Sequence, residues 1–345
     1  MARVTGVTMK HIAEELGVSV VTVSKVLRNH SDIGEETRAR VLKRVKELNY
    51  RPNLAARSLV TGRSFLVGLV VPDLLHSFFV EIAKYLSHAL MKKGYYLIIA
   101  SSEEDPDLEQ DEIDHLLGRR LDALIIASVS DEETLRRIEA QGVPYILIDR
   151  AYPGLQANFI GIDDEKAGFL ATKHLIEIGC KRIAHIRGPE NSPGLGRLKG
   201  YTKALEAHGI PVRPEYIIAE KTVDVDAQSR GRDAMAQLLN LRARPDGMFC
   251  YNDPLAIGVI DHILEAGLRV PEDIAVIGCG NLYYNSYLRV PLSSIDQCTA
   301  QVGQRTAKLA LSLIESKNPP RPRNIILEPE LIQRRSTDRR TNHRK

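Results

Sequence analysis

The sequence has only four cysteines, Cys180, Cys250, Cys279 and Cys298, and no C-x-x-C pair among them. That scatter excludes a zinc-ribbon spacing and a disulfide framework, and predicts reduced, mostly buried thiols. The longest apolar stretches, such as 66–71 and 123–129, fall far below the ~20 residues that a membrane-spanning helix needs. The first residues carry no apolar h-region, so no membrane partner is expected and the chain is read as soluble and cytoplasmic. G-x-S-x-G elbows, H-E-x-x-H pairs and Walker loops are missing, and the ten histidines show no metal-like spacing. An enzyme is unsupported on this reading, and neither a metal nor a cofactor is expected. Gly194-x-Gly196-x-x-x-Gly200 follows the run "RIAHI" and hints at a dinucleotide loop. Its last spacing is one residue too long and Arg197 sits in the turn, so a plain helix start fits better.

The chain does have length and an uneven distribution of charge. Its 345 residues exceed what one hydrophobic core usually organises, so more than one folding unit is expected. Residues 1–63 hold twelve Lys and Arg against six acids, and the twelve residues from Arg334 hold six against one. With a net charge of +3 for the whole chain, residues 64–333 are left eight charges negative. Basic ends on a mildly acidic body point to nucleic acid at the N-terminal end.

That end reads as three short helices. Thr8 can cap a helix in which Ile12, Ala13 and Leu16 share a face, and Gly17 ends it with a tight turn. Val18 plugs the core, and Ser19 then caps a second helix from Val20 to about Asn29, with Val23, Val26 and Leu27 buried. Two short helices joined by a glycine turn form a helix-turn-helix. A third, from Glu35 to about Asn49, starts on acids and ends on bases, in keeping with its dipole, and Ala39, Leu42, Val45 and Leu48 are expected to face inward.

The strings "VTMKHIAEELGVSVVTVSKVL" and "IGEETRARVLKRVKELNYRPNLAARSL" closely resemble the headpiece of the LacI/GalR family of bacterial transcription regulators. The resemblance implies that Val20, Val21 and Lys25 read bases from the start of the second helix. Lys25 offers a cation to guanine, whereas two valines can only pack on thymine methyl groups or exclude wrong edges by shape. The alternative for the valines is an exposed or core position one residue out of phase. Thr8, Ser19, Thr22, Ser24, Asn29 and Tyr50 suit phosphate contacts that set register, and several of them can be plain caps. Arg51-Pro52 breaks the third helix. The segment after it, "LAARSL", is too short to be helical alone and is expected to fold only on DNA. By the resemblance it pairs with a dimer mate in the minor groove: Ala56, with Ala55, permits close approach, Arg57 accompanies it, and Leu59 wedges into a base step. A plain linker is the alternative.

From Ser64 apolar runs at 65–71, 95–100, 123–127 and 145–148 alternate with helical patterns, and the rhythm restarts at 167. It continues through runs at 183–186, 217–219, 247–250 and 275–278, which predicts an α/β body of two doubly wound parallel-sheet lobes with a cleft at their strand ends. "LVGLVVPDLLHSFFVEIAKYLSHALMKKGYYLIIAS", "HIRGPENSPGLGRLKGY" and "MFCYNDPLAIGVIDHILEAGLRVPEDIAVIG" resemble the periplasmic-binding-protein-like sensor of the same family. The expected layout is a headpiece at 1–52, a hinge helix at 53–63 and an effector-binding and dimerisation domain at 64–333. Its lobes are 64–162 plus 293–321 and 163–292 plus 322–333, and a basic disordered tail spans 334–345.

Carried over by position, Asp73, Phe78, Phe79, Asp149, Arg197, Asn252, Asp253 and Asn281 are the effector-binding candidates. Arg197 suits a carboxylate, phosphate or sugar hydroxyl, and its alternative role is an inter-lobe ion pair. Many relatives carry an aspartate where this chain has Gly280, and an aromatic residue is missing from "EKTVDVDAQSRG", so a sugar effector is less supported. The expectation is a repressor that binds a pseudo-palindromic operator as a homodimer, with a sugar, sugar acid or nucleobase as its small-molecule effector. A transport-type binding protein is the rival reading, and it has no use for residues 1–63.

Overall fold

The computed structural model describes residues 7–27, 30–50, 58, 61–128, 132–152, 154–316, 318 and 320–339. The chain divides into two compact units, Met1–Ser64 and Phe65–Lys345.

The first unit is built by its caps and one small core. Helix α1 (Met9–Leu16) starts where Thr8 Oγ1 accepts the His11 amide at 3.2 Å, and stops at Gly17, whose φ of 64° only glycine adopts at little cost. Helix α2 (Val20–Leu27) starts where Ser19 Oγ accepts the Thr22 amide at 3.0 Å. Helix α3 (Glu35–Glu47) opens on Glu35 and Glu36 and closes on Arg44 and Lys46, as its dipole favours. Ile12, Ala13, Val23, Val26 and Val41 form the core, with Leu16, Val18, Leu27, Val45, Leu48 and Tyr50 packed against it. The expected inward face of α3 is therefore corrected. Val41, Val45 and Leu48 share the stripe, whereas Ala39 is exposed and Leu42 is 46% exposed. Arg44 grips Glu15 with two bonds, at 2.6 and 2.9 Å, and ties α3 to α1.

The second unit holds two sheets. The first has the strand order β11-β5-β4-β3-β1-β2 and is parallel throughout: β1 is Leu66–Val71, β2 Tyr96–Ser101, β3 Ala123–Ile126, β4 Tyr145–Ile148, β5 Asn158–Ile162 and β11 Asn324–Leu327. The second runs β12-β10-β9-β8-β6-β7: β6 is Ile183–Arg187, β7 Ile217–Ala219, β8 Gly247–Cys250, β9 Ala275–Gly280, β10 Ser293–Asp296 and β12 Glu330–Ile332. Among the described residues, only β12 runs antiparallel there. Every residue of β3, β8 and β9 is buried, because helices cover both faces of each sheet.

Two expected boundaries are corrected. β10 pairs with β9, so 293–296 belongs to the second lobe, and β11 pairs with β5, so 324–327 belongs to the first. The chain thus crosses between lobes near 163, 297 and 328. Strands this short carry no periodicity that assigns them to one sheet or the other. The basic tail is also corrected as far as 339. Ser336 and Thr337 are buried, Ser336 Oγ donates to the Val276 carbonyl at 2.6 Å, and Arg339 donates to the carbonyls of Pro271 and Asp246. Residues 340–345 lie outside the described residues.

The glycines of the weighed dinucleotide pattern serve packing and capping. Gly194 and Gly200 sit in helix Ser192–Ala207, which packs along helix Asp164–Glu177. A Cβ at Gly200 would overlap the Glu165 carbonyl oxygen, and one at Gly194 the Pro189 carbonyl oxygen.

Candidate functional site

On the headpiece, burying Val23 and Val26 turns the neighbouring positions of α2 outward. Val20 is 41% and Val21 61% exposed, so the two candidate base readers face solvent rather than core. Two adjacent exposed valines at a helix start cost apolar surface and gain no packing within the headpiece. Lys25 lies on the same helix and forms an ion pair with Asp32, seven residues on, which holds the Asp32 carboxyl below its usual range. Thr8 and Ser19 act as caps, Ser19 Oγ lies 2.9 Å from Thr22 Oγ1, and Ser24 is half-buried. Tyr50 packs against the core, and burial raises its phenol pKa. Asn29, Ala56, Arg57 and Leu59 lie outside the described residues.

In the body, a cavity of about 410 Å³ opens between the lobes. Glu104, Ser128, Arg150 and Tyr152 line it from one side, and Asn191, Ser192, Lys221 and Thr222 from the other. Beside it, polar groups staple the lobes together. Arg150 Nη2 donates to Asp224 Oδ2, and both side chains are about 95% buried. The Glu104 carboxylate accepts the amides of Val223, Asp224 and Val225, at 3.1 to 3.2 Å. His76 Nε2 lies 3.5 Å from Asp224 Oδ1 and 3.3 Å from Asn252 Nδ2, which also donates to the Val223 carbonyl at 2.7 Å. Burial lowers the His76 pKa to about 4, outweighing the carboxylates of Asp149 and Asp73, so its ring is neutral at pH 7. Burial raises Asp224 to about 6 against the pull of Arg150. Glu104 is raised by burial and then by the Asp224 charge, against its amide bonds.

The sequence candidates divide around this cluster. Asp149 lies 3.9 Å from Arg150 Nε, Asn252 touches His76, and Asp73 acts on His76 electrostatically while its Oδ1 accepts the Leu75 amide at 2.8 Å. Phe78 and Phe79 are core residues, with ring centroids 6.3 and 5.5 Å from that of His76. Asp253 braces the loop after β9, where its carboxylate accepts from Leu282 N, Asn285 Nδ2 and Ser294 Oγ. Asn281 binds Asp296 and Arg334.

Arg197, a ligand-clamp candidate with an ion pair as its alternative role, is held here by protein partners. Its Nε donates to Asp164 at 2.9 Å, Nη1 to the Tyr251 carbonyl at 2.6 Å and Nη2 to Gln297 at 3.0 Å, and the guanidinium stacks 4.5 Å from the Tyr251 ring centroid. Asp164 and Gln297 each sit where the chain changes lobe, so Arg197 ties two of those crossings together. Phe78, Phe79, Asp253 and Asn281 are likewise engaged by packing or by internal bonds. Glu104, His76, Arg150 and Asp224 were missed by sequence reasoning. Only Arg150 carried a local signal, a cation directly after Asp149 at the end of β4.

Comparison with known proteins bears on both units. Residues 8–53 match the description "Bacterial regulatory proteins, lacI family", and residues 172–337 match a periplasmic binding protein-like domain. The chain is 34% identical to the HTH-type transcriptional repressor PurR of Photorhabdus laumondii, over 95% of this chain and 96% of that protein. A Lac repressor dimer bound to operator and the anti-inducer ONPF superposes with a TM-score of 0.82 at 28% identity, over 96% of this chain and 99% of that one. A complex of the transcriptional regulator CelR with cellobiose gives 0.72 at 28% identity, over the same shares.

Proposed function

The chain belongs to the lacI family of bacterial regulatory proteins, and from that premise we propose that it is a cytoplasmic transcriptional repressor that binds a pseudo-palindromic operator as a homodimer. The observation that carries this reading is the solvent-facing pair Val20 and Val21 at the start of α2, on a basic headpiece with its own core. Such a helix start fits a major groove, where valine methyls contact thymine methyls and Lys25 reaches a guanine edge. Thr8, Ser19, Thr22, Ser24 and Asn29 then face phosphates, and Ala56, Arg57 and Leu59 enter the minor groove between half-sites. A family member solved as a dimer on its operator supports the homodimer. So do the exposed apolar side chains of the body: Leu75 ahead of helix Ser77–Met91 and Val80 within it, Tyr96 and Ile99 on the edge strand β2, and Tyr283, whose amide reaches Glu81 of that helix.

The effector site is the inter-lobe cavity, with Asp73, Asp149 and Asn252 reaching it through the His76–Arg150 cluster. Occupancy shifts operator affinity by a coupling of ~1–3 kcal/mol. No catalytic role is assigned, and among the described residues no helix is long and apolar enough to cross a membrane. Selection of bound duplexes from a random library tests the reading. It predicts a two-fold symmetric consensus whose half-sites are one helical turn apart. A bound pool with no consensus contradicts it.

A further inference from the structure

We propose that Glu104 and Asp224 are the chain's own occupants of a two-point oxyanion site in the cleft, and that the effector is a small acid whose carboxylate or phosphate groups take their places. This rests on the cleft being the effector site. The first point is the run of amides at 223–225. Three successive N–H groups converge on one Glu104 carboxylate that reaches them from the opposite lobe. Consecutive amides pointing at one spot form an anion cradle. The second point is the Arg150 guanidinium, 3% exposed, whose Nη2 holds Asp224. Its Nε is buried and has no hydrogen-bond partner among the described residues.

The remaining cavity groups favour an acid over a neutral ligand. Glu104 is taken up by the amides and is no free acceptor for hydroxyl groups, and Glu190 Oε1 lies 3.4 Å from Arg187 Nη2. Gly280 supplies no carboxylate. Lys221 stands exposed on the cavity wall beside Thr222 and Ser192 and adds a second cation near Arg150. Burial makes ionisation of Glu104 and Asp224 unfavourable, so a ligand that lets Glu104 return to water relieves that cost. An acid bridging both points replaces the chain's own staple by one of its own, and so couples its binding to the angle between the lobes.

The test is calorimetric titration of the full-length chain with gluconate, glucose 6-phosphate, glucose and adenine. Binding of one or both acids, with no heat from glucose or adenine, is expected, and which acid binds separates a carboxylate from a phosphate source. Vacating the cradle in Glu104→Ala should tighten acid binding at least fivefold, and Arg150→Gln should weaken it more than tenfold. Glu104→Gln, which keeps the side chain's bulk, should act in the direction of Glu104→Ala if the latter folds poorly. Silence from both acids, or acid binding untouched by the Glu104 variants, overturns the proposal. If glucose or adenine binds instead, filling the cavity by Ser192→Trp separates the two failures. Loss of binding leaves the cleft reading standing and removes only the oxyanion site, whereas retained binding removes both.

Discussion

Replacing Arg197 by methionine keeps much of the side chain's bulk and removes the charge from a site that is closed to water. Asp164 is left buried beside Asp163 and Asp149 without its cation. Removing one partner of a buried ion pair costs about 3–5 kcal/mol, a large share of the 5–15 kcal/mol that holds a typical protein. The cost depends on pH in a definite sense. Burial already pushes the Asp164 carboxyl up to about 7 although Arg197 pulls it down, so without Arg197 it rises further. A carboxyl whose folded pKa is raised favours folding while protonated, and that contribution is lost as pH rises through the folded value. In the wild type the loss is complete near pH 7. In Arg197→Met it continues above 7, at up to about 1.4 kcal/mol per pH unit. Urea unfolding followed by circular dichroism should therefore show a larger penalty at pH 8 than at pH 6. Adding Asp164→Asn should recover part of the stability and flatten the difference. An equal penalty at both pH values, with no recovery in the double variant, would refute the brace.

Four other variants probe separate parts of the account. Val23→Ala should destabilise the headpiece by about 1.5–3 kcal/mol, because two buried methyl groups are lost, whereas Val21→Ala should leave its melting unchanged and alter the preferred operator bases; matching effects on both readouts would mean that α2 is out of phase. Gly200→Ala forces a Cβ into the Glu165 carbonyl oxygen, so overpacking of about 1–3 kcal/mol should outweigh the ~1 kcal/mol helix gain, and an unchanged melting temperature would contradict that contact. His185 stacks on Phe249, with centroids 4.5 Å apart, its Nδ1 lies 2.9 Å from the Phe249 carbonyl oxygen, and burial lowers its pKa to about 3. The unfolded chain therefore takes up that proton first, and stability falls as pH drops from 6.5 towards 3, by about 1.4 kcal/mol per unit. His185→Gln should flatten this acid limb by one proton relative to the wild type, and an identical slope would show that the ring is not buried neutral.

The parts of the molecule that were legible in the sequence are those written in local spacing. Thr8, Gly17 and Ser19 punctuate the headpiece helices, and the apolar runs of β3, β8 and β9 announce strands covered on both faces. Local spacing misled where two phases competed. Leu42 is as apolar as its neighbours, yet the stripe of α3 runs through Val41, Val45 and Leu48. It was silent where partners are remote. Glu104 meets amides about 120 positions away, and Arg150 meets Asp224 across 74, so no motif reports either contact. Family position marked Arg197 but not the partners that hold it, because Asp164 and Gln297 lie 33 and 100 residues away.

The claim beneath all of this is that α2 presents a base-reading face to duplex DNA. Competition binding measured by fluorescence anisotropy, with a selected operator against a scrambled duplex of equal length at physiological salt, addresses it directly. The account predicts at least a ~10³-fold preference for the operator, with affinity falling steeply as salt rises. Equal affinity for the two duplexes would contradict it.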